Sequence, residues 1–188
     1  MTRRNVKNTS GRKKTRSKVG KKTSSAGTKN NRHIITATQK QLQKLAKRLP
    51  NRYYKPLKGN ERIQQLKELD RSRKMYRQGK YYTRKKMNSF KTKPSRHVVD
   101  FQKCYGISVT SNLDKIERVT GVPVDVIEKI LNKGRGAYYS SGSRPNQNAE
   151  SWARARVASA ILKRGAYRVD KHLFNEAGVN KIKGCRRN

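Results

Sequence analysis

The residue types best suited to binding an anion are concentrated in one segment, residues 133–148. This segment combines glycines and serines with two arginines and a Pro-Asn pair, and the next helix begins directly after it. Guanidinium groups and the free backbone N–H groups at a helix start both bind phosphate oxygens. We therefore expect a phosphate or nucleic-acid contact here. The residues expected to make it are Arg135, Tyr138, Tyr139 and Arg144.

The same segment also has a purely structural interpretation. It is far longer than a usual connection between helices, which spans about 2–8 residues, so a fixed conformation needs internal hydrogen bonds. In that case the tyrosines complete the core, and the arginines pair with Glu150 or with backbone carbonyl groups. The segment is not a nucleotide-binding P-loop, because the Gly-Lys-Ser/Thr ending is missing. The sequence leaves both interpretations open.

Paired tyrosines within basic runs form a second set of candidates. Aromatic rings stack on nucleic-acid bases while lysine and arginine neutralise phosphates. Tyrosine and arginine are also enriched in protein–protein interfaces, so a protein partner is an equal alternative. The residues concerned are Tyr53, Tyr54, Tyr81, Tyr82 and Arg84.

The first 33 residues form a basic tail with twelve lysines or arginines and no acidic residue. Nothing apolar there offsets an ordering cost of about 1–2 kcal/mol per residue, so we expect a disordered or extended tail. If about eight of its cations met phosphates, log K would fall with log salt at a slope near −7. The tail residues expected to bind a polyanion or a partner are Arg3, Arg4, Arg12, Lys13, Lys14, Arg16, Lys18, Lys21 and Lys22.

Charge divides the chain of 188 residues, which carries 49 basic and 11 acidic side chains and a net charge of +38. Residues 1–99 hold 32 of the basic residues and only 3 acidic ones. We predict a tail over residues 1–33, a basic helical arm with tyrosine-rich linkers over 34–93, and a small globular domain over 94–188. No apolar run approaches the roughly 20 residues that a membrane span needs.

Capping residues, apolar periodicity and closing glycines predict an all-α fold with a long basic N-terminal arm. Strand patterns are short and rare. Trp152 is expected to point into the core of the domain. The predicted helices run from Thr38 to Pro50, Asn60 to Gly79, Ser95 to Gly106, Asn112 to Gly121, Pro123 to Gly134, residues 149–164 up to Gly165, and Asp170 to Gly178.

Catalysis has little support in the sequence. The acidic residues fall on predicted helix surfaces, and Ser140, Ser141 and Ser143 have no histidine near them. We expect no enzyme activity, no catalytic residue and no cofactor. Two cysteines are too few for a disulfide framework, which predicts reduced thiols inside a cell. The spacings among His97, Cys104, His172 and Cys185 are unlike those of structural zinc sites, so no metal site is expected.

Several motifs carry a resemblance. The run Gly-Arg-Gly-Ala-Tyr-Tyr-Ser-Ser-Gly-Ser-Arg-Pro-Asn-Gln (residues 134–147) is followed by Ala-Glu-Ser-Trp-Ala-Arg-Ala-Arg and later by Val169-Asp170. With Ser-Arg-Lys-Met-Tyr-Arg-Gln-Gly-Lys-Tyr-Tyr (72–82) and Lys-Thr-Lys-Pro-Ser-Arg-His (91–97), it resembles an uncharacterised family of basic proteins from large nucleocytoplasmic DNA viruses of algae and protists. The resemblance covers roughly residues 60–185. It implies a viral origin and a role in the virion, and carries over no catalytic residue.

These observations predict a structural virion protein, most simply a minor or internal capsid protein. Its helical domain would dock on major and minor capsid proteins, and its basic arm would follow acidic protein, viral DNA or an anionic inner membrane. We expect it in the capsid interior, and in the host cytoplasm or nucleus during assembly. The alternative is a histone-like protein that binds and condenses nucleic acid without sequence preference. A ribosomal protein shares this design, and only the resemblance argues against it.

Overall fold

The computed structural model describes residues 39–184, and every regular element in that range is helical. Helix α1 covers residues 39–48, and one short 3-10 helix, Asn51–Tyr53, follows it. The further helices are α2 (Gly59–Arg77), α3 (Arg96–Tyr105), α4 (Leu113–Thr120), α5 (Val124–Ser140), α6 (Ala149–Ile161) and α7 (Gly165–Glu176). The predicted all-α class is confirmed for these residues. The tail, with all its candidate cations, lies outside them.

The main core is built around α5 and α6, with α3, α4 and α7 packed on them. The side chains of Phe101, Ile127, Ile130 and Val157 are completely buried there. Gly134 lets the two central helices approach closely, because a Cβ at this position would lie 2.6 Å from the Cα of Ala153. Burial of these apolar side chains is the main force that holds the helices together.

A second, smaller cluster joins α1 and α2 to the rest of the protein. Leu42, Tyr53 and Leu69 are buried in it. Trp152 of α6 packs against its edge, with its ring centre 5.8 Å from that of Tyr53 in an edge-to-face arrangement. The two helices of the arm therefore pack on the C-terminal half of the protein. Trp152 lies half-buried at this cluster, so its predicted place in the main core is wrong.

Most of the predicted helix stops are correct, and two are wrong. Gly106 and Gly121 follow α3 and α4 with φ of 69° and 71°, the left-handed conformation that glycine adopts without strain. Helix α5 instead continues through Gly134 to Ser140. Gly165, expected to end a helix, is the first residue of α7.

Asp170, expected to begin the last helix, lies in the middle of α7 and is fully buried. Its carboxylate accepts two hydrogen bonds of 2.8 Å from Arg156. Lys133 contributes a further cation at 3.6 Å. A buried carboxylate requires such partners, because an unpaired charge in the interior is strongly destabilising.

The residues considered for zinc have other partners. His97 lies beside the guanidinium of Arg164, and His172 beside the ammonium of Lys133. Cys104 is buried in α3, and Cys185 lies outside the described residues. Within residues 39–184 no group of three or more histidine, cysteine or acidic side chains is arranged to hold a metal ion. No helix in the same range is long and apolar enough to cross a membrane.

Candidate functional site

Residues 79–95 form an irregular connecting segment between α2 and α3, and Arg84 anchors it to the end of α5. The guanidinium donates hydrogen bonds to the carbonyl of Tyr138 at 3.1 Å and to the hydroxyl of Ser143 at 2.7 Å. Its Cζ also lies 3.8 Å from the centre of the Tyr138 ring. Desolvation lowers the pKa of Arg84. These contacts give Arg84 a structural role within the chain.

Asn146 fastens the other end of the same segment. Its side-chain amide donates to the carbonyls of Met87 and Phe90 at 2.9 and 3.0 Å, and its oxygen accepts from the N–H of Met87 at 2.7 Å. The residue has a φ of 58°, which asparagine tolerates better than most residues. The Ser-Gly-Ser-Arg-Pro-Asn run therefore acts as the attachment point of the connecting segment.

Two glutamates of α2 also hold the connecting segment. Glu68 accepts hydrogen bonds of 2.9 Å from the hydroxyl of Tyr82 and from the N–H of Lys85. Glu61 accepts from the hydroxyl of Ser89, and this bond lowers the pKa of Glu61. Burial raises the pKa of Tyr82, and the hydrogen bond to Glu68 raises it further. Tyr82 is thus committed to an internal contact.

Three other candidate tyrosines also have internal roles. Tyr53 is buried in the second cluster, and the hydroxyl of Tyr54 donates to the carbonyl of Ala46. Tyr138 is 2% exposed and donates to the carbonyl of Gln147. This matches the structural interpretation, in which tyrosines of residues 133–148 complete the core.

Tyr81 and Tyr139 differ from these because they meet at the surface, together with Tyr76 of α2. The ring centres of Tyr76 and Tyr139 are 5.9 Å apart with planes at 13°, and that of Tyr81 lies 4.9 Å from Tyr139. Tyr81 is 74% exposed. An open cavity of about 380 Å³ adjoins the three rings. We call it the tyrosine pocket; its lining residues are Tyr76, Tyr81, Asn132, Arg135, Gly136, Tyr139 and Ala149.

Tyr76 was not among the residues predicted to bind. The available signal was its basic surroundings. Arg73 lies three residues before Tyr76 and Arg77 lies directly after it, and Lys80 directly precedes Tyr81. Burial raises the pKa of Tyr139, and the neighbouring tyrosines raise it further, so this ring stays protonated at neutral pH.

Arg135 stands at the wall of the tyrosine pocket and is held there. It donates to Glu150 at 3.0 Å and to the side-chain oxygen of Asn132 at 2.8 Å. Burial of Glu150 opposes its ionisation, but hydrogen bonds from Arg154 and Arg135 leave the pKa of Glu150 below its usual value. The pairing of Arg135 with Glu150 was one of the two predicted alternatives.

The start of α6, expected to face an anion, is largely occupied by its own chain. Asn148 accepts from the N–H of Ser151 at 2.7 Å, and Ser151 reciprocates by accepting from the N–H of Asn148. This capping box satisfies N–H groups that a phosphate would otherwise use. Arg144 is exposed.

A second open cavity, of about 420 Å³, lies between α1 and α2. We call it the basic groove; Gln41, Leu42, Lys67, Asp70, Arg71, Lys74 and Met75 line it. Its three cations are spaced four and three residues apart, so they lie on one face of α2. Asp70 is its one acidic lining residue, and it pairs with Lys74 at 2.7 Å.

The charge of this half of the protein is strongly unbalanced. Residues 39–93 carry 19 basic and 3 acidic side chains. All three acids have partners within the chain: Asp70 binds Lys74, and Glu61 and Glu68 hold the connecting segment. Most of the cations therefore have no carboxylate to neutralise them among the described residues.

Comparisons with known proteins give one match. A family model described as a family of unknown function (DUF5824) matches residues 50–175, about two thirds of the chain. That range includes both attachments of the connecting segment, the tyrosine pocket and most of the basic groove. No curated protein and no solved structure matches the chain.

Proposed function

The chain belongs to DUF5824, a family of unknown function, and we propose that it is a non-catalytic protein that binds nucleic acid mainly through charge. The observation that carries this proposal is the excess of 19 basic over 3 acidic residues in residues 39–93. The chain's own contacts occupy those acids, and all of the 19 cations except Arg73 and Arg84 are exposed. Polyphosphates release counterions when such a surface neutralises them, and this drives association.

The basic groove favours contacts with the sugar–phosphate backbone of a nucleic acid, which do not depend on the base sequence. Lys67 and Arg71 lie one helical turn apart, about 6 Å along the axis of α2. Side chains at that spacing contact neighbouring phosphates but carry no base information. The basic residues of the tail extend the same chemistry.

The test is a salt titration of oligonucleotide binding by fluorescence anisotropy, with the full chain. We expect log K to fall linearly with log salt. In the double variant Lys67→Gln/Arg71→Gln the slope should become shallower by about 1.4 to 1.8, since each lost phosphate contact removes about 0.7–0.9. The matched control is Lys115→Gln/Lys171→Gln, which removes the same charge from exposed positions on α4 and α7.

Two results would contradict this function. One is the absence of binding by the wild-type protein at low salt, about 50 mM. The other is an equal change of slope in the groove variant and its control, because net charge alone would then explain the binding.

A second candidate function is that of a minor or internal capsid protein, and the motif resemblance described above favours it. The quoted motifs at residues 72–82, 91–97 and 134–147 all fall within the matched range of 50–175. In this role the basic arm would lie along acidic capsid proteins, genome or an anionic inner membrane. Cryo-EM of purified virus particles tests it: the chain should occupy fixed positions inside the shell and contact other capsid proteins.

The two functions predict different behaviour after the shell is removed. A nucleic-acid-binding protein should stay with the genome and dissociate as salt rises. A capsid component should leave with the shell proteins at every salt concentration.

A further inference from the structure

We infer that the tyrosine pocket binds one unpaired base of a single-stranded nucleic acid, with the adjacent cations contacting the flanking phosphates. This inference rests on the proposed nucleic-acid-binding function and names the strand type and the residues that select it. The observation behind it is the arrangement of Tyr76, Tyr81 and Tyr139 around a cavity of about 380 Å³.

The aromatic surface is fixed before any ligand arrives. Tyr76 and Tyr139 lie nearly parallel, and Tyr138 meets Tyr139 edge-on at 4.9 Å. Gly136 leaves room for Tyr76, since a Cβ there would be 3.1 Å from the Tyr76 hydroxyl. Beside these packed rings lies Tyr81, whose side chain is 74% exposed. Stacking of a base on such a ring needs little ordering of the protein.

The charges around the pocket favour an anionic strand over the cationic ligands that tyrosine cages also bind. Arg135, which pairs with Glu150, forms part of the wall. In the sequence, Arg73 and Arg77 flank Tyr76 of α2, and Lys80 precedes Tyr81 of the connecting segment. None of these last three has a carboxylate partner within residues 39–184. An alkylammonium group would be repelled here, whereas the phosphates beside a stacked base would be attracted.

A paired base does not fit this arrangement. Both faces of a base inside a duplex are covered by its neighbours, so its ring cannot stack on a side chain unless it is unpaired. Stacking on tyrosine accepts any base, because every base has a π face. The pocket therefore adds a preference for single strands to binding that is otherwise driven by charge.

The experiment compares Tyr81→Ala and Tyr81→Phe with the wild-type full chain. The probes are a labelled oligothymidine and a duplex with the same number of phosphates, both at one salt concentration. Loss of one stacked base should weaken single-strand binding about 5- to 150-fold in Tyr81→Ala. Tyr81→Phe should bind nearly as the wild type, and duplex binding should change less than about twofold. In a separate salt titration, Tyr81→Ala should keep the wild-type slope, because no cation is removed.

The control is Val169→Ala, which shortens an exposed apolar side chain on α7. Tyr81 is largely exposed, so its replacement should leave the circular dichroism melt unchanged. As an independent readout, a strand carrying 5-iodouracil should photocrosslink to Tyr76, Tyr81 or Tyr139, located by peptide mass spectrometry.

Three outcomes overturn the inference. If Tyr81→Ala binds the single strand as tightly as the wild type, the pocket serves another partner, such as a protein, while charge-driven binding stands. If both probes weaken equally, the ring contacts the backbone and selects no strand type. If the wild-type protein binds neither probe, the proposed function itself fails.

Discussion

The Cζ of Arg84 lies 3.8 Å from the ring centre of Tyr138, and the same guanidinium donates to the carbonyl of Tyr138 and to the hydroxyl of Ser143. One side chain thus joins the connecting segment to a part of the chain 54 residues away. The conformation of residues 141–148 and the course of the connecting segment therefore depend on each other. Tyr81, which precedes Arg84 by three residues, is positioned by this attachment.

Replacing Arg84 by lysine should destabilise the protein. Lysine keeps the charge but lacks the planar fork that reaches two acceptors at once. We expect a loss of about 1–3 kcal/mol in the free energy of unfolding, from urea titrations followed by circular dichroism. Arg144→Lys, at an exposed position in the same motif, is the control and should change stability by less than about 0.5 kcal/mol. Equal stability of the two variants would show that the Arg84 contacts contribute nothing.

Gly134→Ala and Gly136→Ala should differ although they lie two residues apart on α5. The new Cβ at residue 134 would meet the backbone of Ala153 at 2.6 Å, so α5 and α6 must separate. We expect this to destabilise the protein by about 2–3 kcal/mol, despite the higher helix propensity of alanine. At residue 136 only the hydroxyl end of Tyr76 is near, and it can shift, so stability should change by less than about 1 kcal/mol. Thermal melts of both variants test this, and a reversed order would contradict it.

Asp170→Asn should cost more stability than any other single acid-to-amide change. It leaves the guanidinium of Arg156 without its two hydrogen-bonded oxygens in a buried site. We expect a loss of about 3 kcal/mol, at the lower end of the range for a broken buried pair because Arg156 and Lys133 reach solvent. The matched change Asp125→Asn breaks an exposed pair with Lys129 and should cost less than about 0.5 kcal/mol. Similar urea midpoints for both would contradict this prediction.

The stability of the protein should fall in acid partly through Glu150. The pKa of Glu150 is lower in the folded protein than its usual value of 4.5, because Arg154 and Arg135 bind the carboxylate. A carboxylate whose pKa is lower in the folded than in the unfolded protein stabilises the fold at pH values above its unfolded pKa. This stabilisation is lost as the pH falls through its folded pKa. Glu150→Gln should therefore be less stable than the wild type near pH 7, and the difference should shrink near pH 3.5.

Urea midpoints at the two pH values measure this effect. Glu176→Gln, at an exposed position of α7, is the control and should follow the wild type at both. A difference between Glu150→Gln and the wild type that is the same at both pH values would contradict the assignment.

Trp152→Ala should destabilise the protein less than Phe101→Ala. Phe101 is completely buried in the main core, whereas Trp152 lies half-buried at the edge of the second cluster. Complete burial predicts a loss of about 3–5 kcal/mol for Phe101→Ala. For Trp152→Ala we expect about 1–3 kcal/mol, because part of its surface already contacts water. Denaturation midpoints compare the two, and a larger loss for Trp152→Ala would show that the second cluster dominates folding.

Sequence reasoning was most successful where the determining interactions are local. Asn112 accepts a hydrogen bond from the N–H of Asp114, two residues away. Gly106 and Gly121 each end a helix through the left-handed backbone conformation of that one residue. Such interactions involve only a few consecutive residues, so residue types and spacing are sufficient to identify them. The all-α class follows from the same signals.

The roles of Gly134 and Asp170 depended on the tertiary structure. A glycine after an apolar run usually marks the end of a helix. A glycine inside a helix, where it allows a second helix to pack closely, gives the same sequence pattern. Asp170 likewise resembled a helix start, although its partner Arg156 comes from α6. Only the packing of α5, α6 and α7 decides between these alternatives, because the contacts that matter come from other helices.

The candidate site shows the same division. Charge and tyrosine-rich segments are visible in the amino-acid sequence, and they predict a surface that binds a polyanion or a protein partner. Which tyrosines serve it is decided by three-dimensional contacts: Tyr138 turns inward, while Tyr76, Tyr81 and Tyr139 meet across separate segments. Composition determines the charge because charge is additive, whereas a pocket requires specific distances between distant residues, and these arise only when the helices pack.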